Sequence, residues 1–506
     1  MSTLSLWRAL QKETPAYPRL DRDIEVDVAI VGAGITGITA AIQLVKAGKK
    51  VAILEALKVG GGTTGDSTGN LYVAVQPYYH KIKSKFDGRV VRAIAASRRF
   101  SINYIEAMVC EKGIECSFQR RPWYLYSTDA KNDSIVDKEV EILREVGESI
   151  DWVDAVPLPF KVGKAAKMEG QARFDPLKYI AALARDLADR GCLIFENTRF
   201  LESEEKGEHC RVSCEGGAVL ASHLILATHI PKGFHLLQTL AIPYRSYAVA
   251  ARLQGALPPN ANFWDTSEPH HATSSHSSGT GDPDLLVVAD SHHKTGQAPD
   301  NDHLRMFQRI EDYLYRNYEV ASIEHRWSAQ HYQSADGVPY IGLAGGGLKR
   351  SYLATGYFAD GLAYGTVAGV VLSDLILGNR NPWAEIYDST RFTPLASSGK
   401  FLKENTNTLV QYLKDLPRNV DAKHFSDIPP GEGKTTEVEG EKMAAYRDES
   451  GQLHVVSAVC THLQCIVKWN NAERTWDCPC HGSRFSFDGR VLEGPAIHDL
   501  EKRRIP

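Results

Sequence analysis

The chain has 506 residues, and its 58 Lys and Arg residues against 62 Asp and Glu residues give a formal net charge of −4. This near-neutral balance leaves no dominant basic face and argues against a nucleic-acid partner. A charged fraction of 24% with 9% aromatic residues excludes wholesale disorder. No apolar run reaches the roughly 18 residues of a membrane span, and the segment Met1–Leu20 lacks the basic and apolar regions that predict a signal peptide. We therefore expect a soluble cytoplasmic protein, with the oligomeric state, a homo-oligomer included, left open.

The first elements form a strand, a helix and a second strand. Val28–Val31 is a short apolar strand, the apolar positions of Ile35–Ala47 have helical spacing, and Val51–Leu54 is a second buried strand. Their order and size predict a βαβ unit in an α/β domain.

A glycine motif joins the first strand to the helix. In Gly32-Ala-Gly34-Ile35-Thr36-Gly37, the first glycine permits the turn, the second lets the backbone approach a pyrophosphate, and the third lets helix and strand pack closely. Glu55 ends the second strand, where an acid binds ribose hydroxyls. The motif predicts a dinucleotide site but does not choose between FAD and NAD.

The rest of the chain divides into three parts. A mixed α/β stretch continues to about residue 388 and includes a Ser- and Gly-rich segment, Ser274–Gly281, that we expect to be a loop. A helical connector follows, and then come short β-like runs separated by turn signals. The expected boundaries are 1–390 for the first part, 391–425 for the connector and 426–506 for an all-β module.

Four of the nine cysteines, Cys460, Cys465, Cys478 and Cys480, lie close together, which in a cytosolic protein indicates a metal site before a disulfide framework. Cys460-Thr-His462 and Cys478-Pro-Cys-His481 each offer one Cys and one His. Two Cys and two His also suit zinc, but zinc fingers place both cysteines before both histidines. The order here is that of a Rieske [2Fe–2S] centre, with Cys460, His462, Cys478 and His481 as ligands.

The surrounding residues strengthen this interpretation. Cys-Thr-His-Leu-Gln-Cys465, Cys-Pro-Cys-His-Gly-Ser483 and Gly494-Pro-Ala496 resemble the Rieske domain of cytochrome bc complexes over residues 426–500. The resemblance implies a disulfide between Cys465 and Cys480, although two free thiols remain the alternative in a reducing cytosol. It also implies a hydroxyl of Ser483 on a cluster sulfur. Phe485 stands where the highest-potential relatives carry tyrosine, which predicts a lower potential.

The first part resembles the D-amino-acid-oxidase-like, or glycine-oxidase-like, flavoproteins over residues 20–385. The resemblance rests on the segments Gly60–Gly65, Gln171–Pro176, Leu224–His229, His293–Gly296 and Thr355–Gly365. It implies an α/β FAD-binding Rossmann-type domain with an interleaved α+β substrate domain and noncovalent FAD. It also places a helix N-terminus beside the flavin, where the positive dipole stabilises the reduced anion. The implied cofactor-binding residues are Gly32, Gly34, Ile35, Thr36, Gly37, Glu55, Thr63, Thr64, Gly361, Leu362 and Ala363.

The substrate pocket is less defined by the sequence. The chemistry is centred on the flavin, no catalytic residue is assigned, and the candidates are Arg120, Tyr124, His293 and Arg326. A carboxylate-bearing substrate calls for a pocket arginine, and the arginines considered are Arg120, Arg121, Arg245 and Arg326. We interpret His270, His271 and His276 as part of a polar loop, and His331 stands where many relatives have an acid.

The resemblance implies oxidation of a C–N bond of an amine or amino acid. Electrons then pass from reduced FAD through the cluster to an external one-electron acceptor. One alternative is a reductase that supplies electrons from NAD(P)H to an oxygenase partner, and no second dinucleotide motif supports it. Another is an oxygen-using amine oxidase whose cluster is regulatory. The sequence identifies neither the amine nor the acceptor.

Overall fold

The computed structural model describes residues 3–11, 15–233, 235–277, 284–391 and 424–503. Apart from its end residues, the predicted connector 391–425 lies outside the described residues. None of the described helices has the length and apolar character needed to cross a bilayer. The helices are α1 Leu6–Leu10, α2 Ile35–Lys46, α3 Tyr79–Lys83, α4 Gly88–Lys112, α5 Asp133–Glu145, α6 Pro176–Asp189, α7 Leu304–Asn317, α8 Gly361–Leu377 and α9 Ala384–Tyr387.

The strands follow the same chain order. They are β1 Ile24–Val31, β2 Val51–Leu54, β3 Asn70–Leu71, β4 Gln119–Tyr126, β5 Ile150–Val153, β6 Ala165–Arg173, β7 Leu193–Phe195, β8 Phe200–Lys206, β9 His209–Cys214, β10 Gly217–Leu226, β11 Ala241–Leu253, β12 Asn262–Asp265, β13 Ala272–His276, β14 Leu285–Lys294, β15 Val320–Ser334, β16 Tyr340–Leu343, β17 Ser351–Thr355, β18 Gly433–Val438, β19 Glu441–Arg447, β20 Leu453–Ser457, β21 Lys468–Asn470, β22 Thr475–Asp477, β23 Arg484–Ser486 and β24 Val491–Glu493.

The first sheet contains the predicted βαβ unit and has the strand order β16-β17-β10-β1-β2-β7, with β9 and β8 added beside β10. Strand β1 pairs in parallel with both β2 and β10, and Val31 lies in register with Leu54 on one side and Leu226 on the other. The three strands therefore end at one edge of the sheet. Ligands of open α/β sheets bind outside such carboxyl ends.

A second sheet is built from segments that lie between the strands of the first. Its order is β15-β11-β14-β13-β12-β4-β6-β3, with β5 beside β6, and most of its pairs are antiparallel. This arrangement confirms the expected interleaved second domain.

The prediction of a loop over Ser274–Gly281 is wrong for its first residues. Residues 272–276 form β13, an interior strand that pairs with β12 on one side and β14 on the other. Its Thr273, Ser274 and Ser275 are buried. Pairing on both edges satisfies the backbone, so small polar side chains are tolerated where sequence composition indicated a loop. Residues 278–283 lie outside the described part of the chain.

The C-terminal region, residues 424–503, is all-β as expected. It contains the antiparallel sheets β18-β19-β20 and β21-β22-β23-β24. Tyr446, Trp469, Trp476 and Phe485 are buried and belong to one hydrophobic core that also contains the four clustered cysteines. Aromatic packing thus supports the loops that carry the predicted ligands.

Candidate functional site

A cavity lies at the carboxyl ends of β1, β2 and β10, between the two large sheets. The first sheet and its loops contribute Gly32, Glu55 and Thr228, and β11, β14 and β15 of the second sheet contribute the opposite wall. The predicted dinucleotide motif and the predicted substrate domain therefore face one space.

Two positions of the glycine loop have no room for a side chain. Gly32 has φ +106°, and a Cβ there would meet the carbonyl oxygen of Ala227 at 2.5 Å. A Cβ on Gly37 would meet the carbonyl oxygen of Gly32 at 2.0 Å. Gly34 caps the N-terminus of α2, whose positive end faces the cavity. The backbone thus forms a cradle that a side chain would fill.

The predicted acid is fixed beside this cradle. Glu55 lines the cavity, and its carboxylate accepts hydrogen bonds from the backbone N–H groups of Ala33 and Leu57, both at 2.8 Å. Burial raises the pKa of this carboxyl group, while the two N–H donors oppose the rise. Thr63 and Thr64 also line the cavity, and Thr64 Oγ1 accepts from the backbone N–H of Ile35 at 3.1 Å.

The N-terminus of α8 also meets the cavity. Gly361 and Leu362 line it, whereas Ala363 is buried in the helix and is not among the lining residues. Asp360 precedes the helix and lies 3.2 Å from Arg98, so its carboxylate has a cationic partner.

The four candidate catalytic residues lie away from the cavity. Arg120 is paired with Glu106, and Arg326 with Glu311. Tyr124 stacks on Phe263, with the ring centroids 5.4 Å apart. The structure therefore corrects these expectations, because ion pairs and core packing already occupy the side chains.

His293, the remaining candidate, is also engaged elsewhere: its Nε2 lies 3.0 Å from the Tyr247 hydroxyl and its Nδ1 lies 2.7 Å from the carbonyl oxygen of Lys294. Arg121 and Arg245 do not line the cavity either.

Three histidines that the sequence did not assign to the pocket line the wall formed by the second sheet. They are His270, His292 and His331. The ring centroids of His270 and His292 are 5.1 Å apart, and those of His292 and His331 are 5.4 Å apart. His270 and His271 lie in the loop between β12 and β13, as expected, and His270 lines the cavity, whereas the expected loop position of His276 is wrong because His276 ends strand β13. No local signal marks the group, because its members come from separate segments of the chain: the loop between β12 and β13, strand β14 and strand β15.

The predicted metal ligands converge on two loops of the C-terminal region. The ring centroids of His462 and His481 are 5.1 Å apart, and Cys460 and Cys478 are both buried. A hydrogen bond from the Cys478 thiol lowers the pKa of Cys460 to about 7, which favours the thiolate that binds iron. Nδ1 of His462 and Nδ1 of His481 are buried and have no hydrogen-bond partner among the residues that the structure describes. Two imidazole nitrogens are thus left without a partner beside two thiols.

The two loops are tied together by a disulfide. Cys465 and Cys480 are bonded, as the resemblance implied, with their Cα atoms 6.5 Å apart. The Ser483 hydroxyl interacts with Cys460 and lowers its pKa, and Ser483 Oγ accepts the backbone N–H of Ala496 at 3.0 Å. Phe485 is fully buried and offers no hydroxyl.

The C-terminal region packs directly on the wall of the cavity. Gln330 Nε2 on β15 donates to the carbonyl oxygen of Gly482 at 2.9 Å, and the Tyr332 hydroxyl donates to that of Gly494 at 3.1 Å. Leu492, Glu493, Gly494, Ala496 and Ile497 complete the lining of the cavity itself. The two predicted cofactor sites therefore share a wall.

A buried ionic group joins the same two regions. Glu473 accepts from Arg245 Nη2 at 2.6 Å and from Ser328 Oγ at 2.6 Å, and it also pairs with Arg484. Arg484 in turn contacts Asp477 at 3.0 Å. Arg245, a candidate from the sequence for binding a substrate carboxylate, instead lies in this contact between the two regions.

Comparison with known proteins decides the family. A family model described as FAD dependent oxidoreductase matches residues 27–375. The chain belongs to this family. A second model, the Rieske [2Fe-2S] domain, matches residues 418–503. The protein is thus an FAD oxidoreductase that carries a Rieske domain with its [2Fe–2S] cluster.

Individual relatives have the same organisation or the same folds. The chain is 32% identical over 494 residues to "Putative Rieske 2Fe-2S iron-sulfur protein YhfW" of Bacillus subtilis, covering 97% of this chain and 96% of the relative. Its Rieske end is 38% identical over 80 residues to the cytochrome b6-f complex iron-sulfur subunit of Chlorobaculum tepidum, covering 16% of this chain and 44% of the subunit. Glycine oxidase from Geobacillus kaustophilus matches with a TM-score of 0.61 at 18% identity, covering 73% of this chain and 99% of the oxidase, which shows the shared fold.

Both cofactors fit the residues present. The glycine cradle beside Glu55 suits the pyrophosphate and ribose of FAD. The two partnerless Nδ1 atoms and two buried thiols are the donor set of a Rieske cluster.

Proposed function

We propose that this protein is an FAD-dependent dehydrogenase that oxidises the C–N bond of an amine or amino acid and delivers the electrons, through its own Rieske cluster, to an external one-electron acceptor. The observation that carries the proposal is the shared wall: Gln330 and Tyr332 line the cavity and donate hydrogen bonds to the C-terminal region. Gly482, which accepts one of these bonds, directly follows the ligand candidate His481.

The binding roles follow from the contacts. The glycine loop from Gly32 to Gly37 and the N-terminus of α2 receive the pyrophosphate, Glu55 the ribose, and the N-terminus of α8 at Gly361 and Leu362 the pyrimidine side of the flavin. Thr64 fixes the loop through the backbone N–H of Ile35. We propose Cys460, His462, Cys478 and His481 as the cluster ligands.

When bound, FAD takes two electrons from the substrate as a hydride, and the cluster carries electrons singly. The chain's own residues hold the two sites together through the hydrogen bonds of Gln330 and Tyr332. Tyr332 and Gln330 are both buried and fully engaged at this wall. His462 Nε2 lies 2.9 Å from Gln238 Oε1 of the N-terminal region, so this imidazole edge is covered, and an external acceptor has to approach elsewhere.

The test is anaerobic mixing of the oxidised holoenzyme with a panel of amines and amino acids, and separately with NADH. We expect a member of the panel to bleach the flavin absorbance and then produce the electron paramagnetic resonance signal of the reduced cluster. Bleaching by NADH alone would instead support a reductase. Bleaching by an amine with no cluster signal, together with full turnover on oxygen, would support an oxidase.

A further inference from the structure

A second, much smaller cavity lies beside the second sheet, and its described lining residues are separate from those of the larger cavity at the strand ends. Its volume is about 10 Å³, which is room for about one water-sized particle. The lining includes Trp7 of α1, Gln119 and Arg121 of β4, Arg173 of β6, Asp175, and His276 of β13. Side chains from three strands and the first helix thus meet at this small space.

Two arginines are buried next to each other at this small cavity. Arg121 is 3% exposed and Arg173 is 2% exposed. Nη1 of each donates a hydrogen bond to the carbonyl oxygen of Ser275, at 2.9 and 3.1 Å respectively. In the described part of the chain, the carboxylate that acts on Arg173 is that of Asp175, and none acts on Arg121. Two like charges therefore share a buried site with at most one opposing charge.

The side chains at this site have hydrogen-bond donors without acceptors. Arg173 Nη1 also donates to His276 Nδ1 at 2.6 Å, and because an arginine has only donors, the neutral imidazole carries its hydrogen on Nε2. Among the described residues, four buried nitrogens have no hydrogen-bond partner: Arg121 Nε, Arg173 Nε, Arg173 Nη2 and His276 Nε2. All four are N–H donors. A buried N–H group without an acceptor is unfavourable, so the cluster calls for a ligand that accepts hydrogen bonds.

The charges at the site favour an anion over a water molecule. Burial and the charges of Arg173, Arg121 and Lys178 lower the pKa of His276 to about 3, so the imidazole is neutral. Asp175 Oδ1 accepts two backbone N–H groups at the start of α6, so this carboxylate is held there as the helix cap. When the charge of Asp175 is set against Arg173, the charge of Arg121 is left without an opposing charge among the described residues. Water accepts hydrogen bonds from N–H groups but leaves a buried charge uncompensated.

We propose that Arg121, Arg173 and His276 form a binding site for one monatomic anion, and that its physiological ligand is chloride. The ion accepts hydrogen bonds from the buried N–H groups and compensates the arginine charge. The small volume of the cavity excludes phosphate, sulfate and organic carboxylates. The site takes no part in the proposed electron transfer, so its tests do not depend on the proposed function.

The expected effect of the ion is on the stability of the N-terminal region. Arg173 lies over the ring of Trp7, 5.0 Å from its centroid, and the ring centroids of Trp7 and His276 are 5.5 Å apart in an edge-to-face contact. Trp7 Nε1 donates at 2.6 Å to the carbonyl oxygen of Ser67, a residue that lines the larger cavity. An ion that fixes Arg173 and His276 therefore also fixes α1 against the second sheet.

Anomalous diffraction locates the ion directly. Crystals of the holoenzyme are grown without halide and soaked in sodium bromide. We expect an anomalous peak within the small cavity, in contact with Arg121, Arg173 and His276. Peaks at the protein surface alone, which mean an adventitious ion only, overturn the inference, and so does the absence of any peak.

Unfolding measures the effect of the ion in solution. Chloride replaces gluconate, which is too large for the cavity, at constant ionic strength. The urea midpoint of the holoenzyme is expected to rise with chloride and then to saturate, and bromide should have the same effect. At a chloride concentration about ten times the dissociation constant, the ratio of folded to unfolded protein rises about tenfold. A midpoint that does not change, or one that rises without saturating, overturns the inference.

Gln119→Glu tests the charge argument with a substitution that keeps the size of the side chain. Gln119 Oε1 accepts from Arg121 Nη2 at 3.0 Å, so the variant places a carboxylate against that arginine. We expect the affinity for halide to fall at least about tenfold, and the halide-free urea midpoint to rise towards that of the parent protein in chloride. Gln308→Glu makes the same change at an exposed position of α7 and should keep the full halide response. Unchanged halide affinity in a folded Gln119→Glu protein contradicts the inference.

Discussion

Gln330 Nε2 donates a hydrogen bond across the boundary between the two regions to the carbonyl oxygen of Gly482, at 2.9 Å. Gly482 has φ +76°, and a Cβ there would meet Pro243 Cβ at 2.5 Å, so the peptide after His481 approaches the second sheet more closely than any other residue type permits. Thr295 Oγ1 donates to Gln330 Oε1 at 2.9 Å and fixes the amide orientation. The contact joins the wall of the flavin cavity to a loop that carries a cluster ligand.

Replacing this amide should slow the passage of electrons between the two sites. In Gln330→Leu we expect FAD and iron content to be retained and flavin bleaching by substrate to be unchanged, with cluster reduction slowed by about tenfold because the loop loses a fixing hydrogen bond. Rapid freeze-quench spectroscopy of the cluster, beside stopped-flow absorbance of the flavin, measures both. Gln308→Leu, an exposed amide on α7, is the control. Cluster reduction as fast as in the parent protein would remove this contact from the route.

The Glu473 carboxylate should dominate the stability of the contact between the regions. Its side chain is 12% exposed, and those of its partners Arg245 and Arg484 are 1% and 7% exposed. Removing one partner of a buried ion pair leaves the other charge uncompensated, which lowers the free energy of unfolding by about 3–5 kcal/mol. Glu473→Gln should therefore expose the boundary to proteolysis and lower the urea midpoint.

The matched control for Glu473 is Glu449→Gln. Glu449 lies 2.8 Å from Arg474 in the same region, but the two side chains are 66% and 52% exposed. A surface pair of this kind contributes about 1 kcal/mol or less. Equal destabilisation by the two variants would mean that Glu473 does not hold the regions together.

The cluster site was the part most completely predicted from sequence. Its ligands lie in two short loops, and the spacing of Cys460 to His462 and of Cys478 to His481 is local information. The strand, glycine turn and helix around Gly32 are local in the same way. The relative positions of the residues in each motif could therefore be predicted from a short segment of sequence.

The histidines that line the cavity could not be predicted, because their positions depend on contacts between distant segments. His292 on β14 and His331 on β15 approach one another because β11 pairs with both strands, and His270 lies in the loop before β13, which pairs with β14. Nothing within any one segment specifies these registers. The arginine candidates were selected by residue type. Their carboxylate partners, Glu106 for Arg120 and Glu311 for Arg326, become apparent only in the folded chain.

Loss of a histidine ligand should separate the two cofactors. In His481→Ala we expect the iron content to collapse while FAD remains bound, because the glycine cradle lies in the other region. Flavin bleaching by substrate should persist, and turnover with a one-electron protein acceptor should fall to background. His498→Ala provides the control, since His498 is an exposed histidine of the same region. Normal iron content in His481→Ala would contradict its assignment as a ligand.

Stability should fall as the pH drops below about 6.5, and His303 should contribute to that loss. Its side chain is fully buried, and within the described residues neither ring nitrogen has a hydrogen-bond partner. Burial lowers its pKa to about 4, against roughly 6.5 in an unfolded chain. Between these values the unfolded chain binds a proton that the folded chain does not, so the free energy of unfolding decreases as the pH falls.

The size of this effect can be isolated by substitution. From pH 7 to pH 5 the linkage at one such histidine amounts to about 2 kcal/mol. His303→Phe keeps an aromatic ring at the site and removes the titration, so its stability should decline less than that of the parent protein over this interval, by about 2 kcal/mol. Urea unfolding of the holoenzyme at the two pH values, followed by tryptophan fluorescence, measures the difference. The exposed His209, replaced in His209→Phe, should leave the pH dependence unchanged. If His303→Phe and the parent protein lose stability equally on acidification, His303 is not one of the groups that take up protons on unfolding.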